Sequence, residues 1–177
     1  ISSAGALALV NSTIADNFAT SGGGGIYNSG ALTATRSVFV NNRAPSVGGG
    51  VQNLGRATIE NSSFFSNTAS VDGSIRNEQA LTLTNSTIAG AAGGVGLNND
   101  GTLYMRNSLI AISTGSADCA SSGTIAVNTN NLVADGSCSP VLSGDPLLGD
   151  LGDYGGDTQT VPLLPGSQRV VIKWREP

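Results

Sequence analysis

The chain has 177 residues, of which 39 % are hydrophobic but only 11 % charged and 5 % aromatic, with 25 glycines and a formal net charge of −4. That length fits one domain with a real core; the acidic balance excludes the basic stripe a nucleic-acid partner requires; and no apolar stretch reaches the length of a membrane-spanning helix. Low charge leaves solvation to Ser, Thr, Asn and Gly, residues that strands and turns accommodate better than helices do.

The chain opens on Ile1-Ser2-Ser3, with neither an initiator Met nor a signal peptide, and so reads as a mature or trimmed product. An internal repeat then governs the order of residues. Its lines begin at Gly5, Gly30, Gly55, Gln79 and Gly101, with a weaker one at Gly123, in steps of 25, 25, 24, 22 and 22 residues. Two residues after each anchor stand Leu7, Leu32, Ala57, Leu81, Leu103 and Ile125; four after it stand Leu9, Ala34, Ile59, Leu83, Met105 and Val127. Polar residues separate these columns at period two, the signature of a half-buried strand. A polar pair follows and marks a bend: Asn11-Ser12, Arg36-Ser37, Asn61-Ser62, Asn85-Ser86 and Asn107-Ser108. Beyond it the column Ile14, Phe39, Phe64, Ile88, Ile110 and Leu132 predicts a second short strand. Gly-rich corners lead to a third strand carrying Ile26, Val51, Ile75 and Leu97, each followed two residues later by Asn28, Asn53, Asn77 or Asn99.

Three short strands per 22–25 residues, with turn residues between, describe one coil of a parallel β-helix. The expected fold class is all-β: a right-handed parallel β-helix, a solenoid of about five or six coils. The coils are expected over residues 1–139, and a C-terminal cap and tail of the same domain over 140–177. Successive coils stack about 4.8 Å apart, so like side chains fall on like. Asn28, Asn53, Asn77 and Asn99 are expected to form a ladder of amides bonded along the axis. The glycine runs at 22–25 and 48–50 keep register with the apolar columns, which a flexible linker would not do. An α-helical repeat needs apolar residues at i, i+3, i+4 and i+7 and a supply of Glu and Lys; the chain has three Glu and one Lys.

Chemistry-bearing residues are sparse. Histidine is absent, which removes the commonest general base. Two cysteines, Cys119 and Cys138, make a poor zinc site without further ligands and leave either a disulfide or two free thiols; a low-charge, Ser/Thr/Asn-rich chain of extracytoplasmic character suits the former. The early acids Asp16, Glu60, Asp72, Glu78 and Asp100 are read as surface solvation and weak ion pairing, with Arg56 expected near Glu60 and Arg76 near Glu78, none of the acids stacking on another by its offset from the anchor. Six acids without a base lie between 118 and 160; of these Asp150, Asp153 and Asp157, set among glycines, are weak candidates for calcium ligands, although Asp beside Gly is also ordinary turn chemistry. No other cofactor is indicated. Asn11-Ser12-Thr13, Asn61-Ser62-Ser63 and Asn85-Ser86-Thr87 match the N-glycosylation pattern, but all fall on one repeat corner and read as ladder residues.

The glycine motifs at 23–26 and 48–51, together with Phe39…Asn42, Phe64…Asn67 and the variant Ile14…Asn17, resemble polymorphic outer-membrane protein repeats, a branch of the pectate-lyase-like β-helix superfamily. The last third is similar to bacterial choice-of-anchor Q domains: Asp118-Cys119, Asn131-Leu132-Val133, Gly136-Ser137-Cys138-Ser139, Asp145-Pro146-Leu147-Leu148-Gly149, Gly155-Gly156, Thr158-Gln159-Thr160 and Leu163-Leu164-Pro165-Gly166-Ser167 occur in that order. The resemblance implies export, an extracellular or cell-surface location, no established reaction, and a Cys119–Cys138 disulfide across one coil. After Ser167 the chain departs from the family's Pro-Ala-Ile-Asp and reads Gln168-Arg169-Val170-Val171-Ile172.

Between Cys138 and Pro165 the alternation fails, broken by Pro140, Pro146, Pro162 and Pro165, which cannot donate to a ladder. This stretch is expected to leave the coil as an irregular cap, with Leu147, Leu148, Leu151, Leu163 and Leu164 sealing the open end of the core. Val170, Val171 and Ile172 are expected to add one short strand. The function expected is structural, adhesive or assembly-related, with a surface glycan or protein subunit as partner and the open N-terminal edge inviting strand addition. The alternative is a polysaccharide lyase, hydrolase or epimerase, which requires acids from several coils to converge in one groove and points first to Asp72 and Asp100.

Overall fold

The computed structural model describes residues 1–111, 113–115, 117–140, 142–156 and 158–167. Its first rung comprises β1 (Ser2–Ser3), β2 (Ala6–Val10) and β3 (Thr13–Ala15). The second holds β4 (Ile26–Asn28), β5 (Ala31–Thr35) and β6 (Val38–Val40); the third, β7 (Val51–Asn53), β8 (Arg56–Glu60) and β9 (Ser63–Phe65). The fourth holds β10 (Asp72–Asn77), β11 (Ala80–Thr84) and β12 (Thr87–Ala89); the fifth, β13 (Val95–Asn99), β14 (Thr102–Arg106) and β15 (Leu109–Ala111). The sixth is β16 (Cys119–Ser121), β17 (Thr124–Thr129) and β18 (Leu132–Val133).

Every third strand pairs in parallel, giving three six-stranded sheets led by β1, β2 and β3. The chain is thus a parallel β-helix of six rungs with no helix among its described residues. Glycine opens most coils because the corners stack tightly. A Cβ on Gly55 would stand 2.1 Å from the carbonyl oxygen of Gly30, and one on Gly49 would stand 2.3 Å from that of Gly73. Neither approach leaves room for any side chain.

The repeat columns form the interior. Leu32, Ala57, Leu81 and Leu103 stack in one line; Ala34, Ile59, Leu83 and Met105 in a second; Ile26, Val51, Ile75 and Leu97 in a third, which Cys119 continues. Phe39 and Phe64 lie face to face, ring centroids 4.3 Å apart and planes 3° from parallel, an arrangement that the rung spacing imposes on like residues in register.

Two column assignments shift in the last rung. A bulge in β17 after Ile125 sets Val127 opposite Tyr104 and Asn128 opposite Met105. The extra residue also carries Val133, not Leu132, onto Ile110, while Leu132 pairs with Leu109. Anchor counting fails there because a bulge adds one residue without adding a rung.

The described residues of 145–165 hold no strand and two antiparallel bridges, Leu148 with Leu163 and Gly152 with Thr160, so the stretch leaves the coil as expected. The sealing role given to its leucines does not hold. Leu147, Leu163 and Leu164 are 37 %, 47 % and 45 % exposed. What packs on the apolar cluster near this end is Cys138, while Leu142, bridged to Leu132, is itself 40 % exposed. The leucine segment instead lies along the side of the solenoid, with Leu148 and Leu163 facing the bend at Asn61, Asn85 and Asn107. The strand expected at 170–172 lies outside the described residues.

Candidate functional site

Four polar constructions repeat from coil to coil. The first is an amide chain inside the corner after the strands led by β1. Asn28, Asn53, Asn77 and Asn99 are all fully buried. Each Nδ2 donates to the Oδ1 of the next, at 2.7, 2.8 and 2.6 Å, and Asn99 ends the chain on Ser121 Oγ at 3.0 Å. The second Nδ2 proton reaches corner carbonyls, such as Ala80 O from Asn53 at 3.1 Å. A second amide chain, Asn17 to Asn42 to Asn67, runs at 2.9 and 3.0 Å, and Asn42 and Asn67 bind the carbonyls of Ile14 and Phe39. These three Asn stand twelve residues after their anchors, a regularity in the sequence that the motif comparison had absorbed.

The bend after the strands led by β2 carries the other two. Ser12, Ser37, Ser62, Ser86 and Ser108 each donate Oγ–H to the carbonyl two residues back. Each of the last four accepts the amide of the serine one coil earlier. Outside them stand Asn11, Arg36, Asn61, Asn85, Asn107 and Asn130, all with φ between 47° and 55°. Asn tolerates this left-handed conformation best after Gly, which is why the column is nearly all Asn. Their amides bond along the surface: Asn85 to Asn61 at 3.2 Å, Asn107 to Asn85 at 3.1 Å and Asn130 to Asn107 at 3.2 Å. The glycosylation-like triplets at Asn11, Asn61 and Asn85 belong to this column.

On the outer face of the sheet led by β1, Arg76 gathers three carboxylates. Its Nη1 stands 3.3 Å from Asp72 Oδ2, its Nε 3.7 Å from Glu78 Oε1, and its Nη2 is in contact with Asp100 Oδ2. This corrects the expectation that the early acids do not stack. Glu78 and Asp100 each immediately precede an anchor, so they occupy one corner of adjacent coils. Asp72 joins them because β10 begins three residues before Ile75, where its pairing with β7 starts. Asp72 is fully buried, and burial pushes its carboxyl above the ordinary range despite the lowering hydrogen bonds from Asn98 and Arg76.

At the far end Cys119 and Cys138 form a disulfide, with Cα atoms 5.7 Å apart. A reciprocal clasp sits beside it. The amide of Asp118 donates to Asp135 Oδ2 at 2.9 Å, the amide of Asp135 donates to Asp118 Oδ2 at 3.1 Å, and Cys119 N donates to Ser137 Oγ at 2.9 Å. Partial burial works to raise Asp135, but hydrogen bonds from Ser137 and the Asp118 amide outweigh it and hold the carboxyl below the ordinary range. Among the described residues no three acidic, Cys or His side chains are grouped to hold a metal ion. Of the calcium candidates, Asp150 and Asp153 are exposed; the Asp153 carboxylate accepts the amide of Gly155 at 3.0 Å, a turn contact. Asp157 lies outside the described residues.

A groove of about 350 Å³ separates the Asn–Ser bend from the C-terminal segment. Asn61, Asn85 and Asn107 line one wall, and Leu148, Val161 and Leu163 the other. None of the described residues lining it is ionisable. No family model, curated protein or solved structure matches the chain. No helix of the described residues is long and apolar enough to cross a membrane.

Proposed function

We propose that the chain is a non-catalytic β-helix module of an exported surface protein, with a structural, adhesive or assembly role. The observation that carries this reading is the buried Asn28–Asn53–Asn77–Asn99 chain, in which amide donors and acceptors satisfy one another or the backbone from coil to coil. Side chains used this way specify stacking. The disulfide suits an oxidising compartment, and the resemblance to choice-of-anchor Q domains points to the same surface location. In the first rung β1, β2 and β3 are paired on one side only, and Leu7 and Leu9 are only partly buried.

A second reading, a polysaccharide-active enzyme, is favoured by the meeting of Asp72, Glu78 and Asp100 on Arg76. Retaining and inverting glycosidases both need paired carboxylates, one with a raised pKa. A turnover screen against neutral and uronate-containing polysaccharides separates the two readings. The module reading expects no turnover; turnover that falls in Asp100→Asn overturns it. Sedimentation against concentration tests assembly, with self-association expected and a strict monomer at high concentration counting against it.

A further inference from the structure

We infer that the groove along the Asn61–Asn85–Asn107 column binds an extended, uncharged glycan. This deepens the adhesive part of the reading above, on which it rests, by naming the ligand class. An amide has two N–H donors and two acceptor lone pairs. In the column Asn85 and Asn107 each use one donor toward the preceding coil and one lone pair toward the following one. One donor and one acceptor per rung remain, repeating at the rung spacing of about 4.8 Å. The serines behind them cannot compete for a ligand, because their hydroxyls already donate to the carbonyls two residues back.

A donor beside an acceptor is what a sugar hydroxyl, itself both, complements. The opposite wall, Leu148, Val161 and Leu163, supplies the apolar surface on which the C–H face of a pyranose rests. A glycan laid along the solenoid axis meets one amide per sugar unit, since a pyranose unit is close to one rung in length. An extended peptide repeats its same-face groups every two residues, about 6.8 Å, and falls out of register after one rung. Among the described lining residues no ionisable group stands ready to pair with a charge, which disfavours uronates and sulfated chains. The volume lies within the range of small-ligand sites and fits a short stretch of two or three units.

The test is titration calorimetry of the intact chain with a panel of neutral β- and α-linked oligosaccharides, matched uronate oligomers and an extended neutral peptide. Two variants accompany it. Asn85→Gly with Asn107→Gly removes the amides yet keeps the left-handed backbone that both residues adopt, at φ 49° and 50°. Leu163→Arg fills the groove from an exposed position of the C-terminal segment. A neutral oligosaccharide is expected to bind, and each variant to weaken it at least tenfold while the melting temperature stays within a few degrees. Absence of binding across the neutral panel, stronger binding of uronates or peptide, or affinity indifferent to both variants overturns the groove and leaves the scaffold reading standing. Cleavage of a bound oligosaccharide has the opposite effect: it overturns the non-catalytic reading and leaves the groove intact.

Discussion

Arg36 is the one non-Asn residue in the left-handed bend column, at φ 48°. The conformation strains any side chain with an ordinary Cβ, at about 1–2 kcal/mol per residue. Arg36 already donates Nε to Asn11 Oδ1 at 2.7 Å, a bond an Asn amide can replace as Asn85 does toward Asn61; Arg36→Asn then also relieves part of the strain, so a rise of a few degrees in melting temperature is expected by differential scanning calorimetry. Asn85→Ala should do the reverse, costing about 1–2 kcal/mol. Two carboxyls give stability a pH dependence of opposite sign. Asp135 is held below the ordinary range, so its contribution is present above the unfolded carboxylate value and is lost as pH falls through the lower folded value. Asp72 is raised, so its contribution is present below the unfolded value and is lost as pH rises through the higher folded one. Urea unfolding across the acid range should show Asp135→Asn with a shallower loss on acidification. Asp72→Asn should show a shallower loss between the ordinary carboxylate range and neutrality. Equal slopes in variant and parent would contradict either assignment.

The strands were legible in the sequence wherever one residue per coil had to repeat. Leu81 falls between Ala57 and Leu103, and Ile75 between Val51 and Leu97, because parallel stacking in register leaves each interior position one neighbour above and one below. Legibility failed where the count slipped. The bulge in β17 is invisible to a fixed anchor, since Ile125-Ala126-Val127 alternates as well as any strand. Of the Arg76 cluster only the Arg76–Glu78 pair was legible, and Asp72 and Asp100 escaped for a related reason: they lie behind the anchors, where offsets counted forward do not compare them. The leucines of residues 145–165 were misplaced because hydrophobicity says that a residue seeks cover but not which surface supplies it. The Asn ladder also sets a scale for the cost of breaking an element. Asn53 accepts from Asn28 and donates to Asn77, both bonds buried, and donates also to Ala80 O, which is partly buried. Asn53→Ala strands an acceptor on each of the last two and a donor on the first. At about 1–3 kcal/mol per unsatisfied buried group, a loss of roughly 3 kcal/mol or more is expected from denaturant unfolding. Asn99, whose chain ends on Ser121, should cost less. Equal losses at the two positions would mean that the amides act singly rather than as a ladder.

A solenoid draws its stability from each rung's contacts with its neighbours, so rungs at the ends, with one neighbour, should open before those in the middle. The two ends of this molecule are not equivalent. At the first rung Leu7 and Leu9 are only partly buried, Val10 and Phe18 are 56 % and 65 % exposed, and no covalent tie crosses the rung. At the sixth, the Cys119–Cys138 bridge joins β16 to the segment after β18, and the Asp118–Asp135 clasp adds two amide–carboxylate bonds beside it. The bridge spans a sequence separation of 19 residues, for which loop closure in the unfolded chain predicts about 3 kcal/mol of stabilisation. Amide hydrogen exchange on the oxidised protein should therefore be lopsided, fast in β2 and β3, slow in β8 through β12, and still slow in β17 and β18. Replacing both cysteines by alanine removes the tie while leaving a small apolar group at the buried Cys119 position. Exchange in β17 and β18 should then rise toward that of β2 and β3, while β8 and β9, three rungs away, change least. A uniform increase through all six rungs would show that the bridge stabilises the molecule as one cooperative unit, and would remove the argument that its far end is pinned locally.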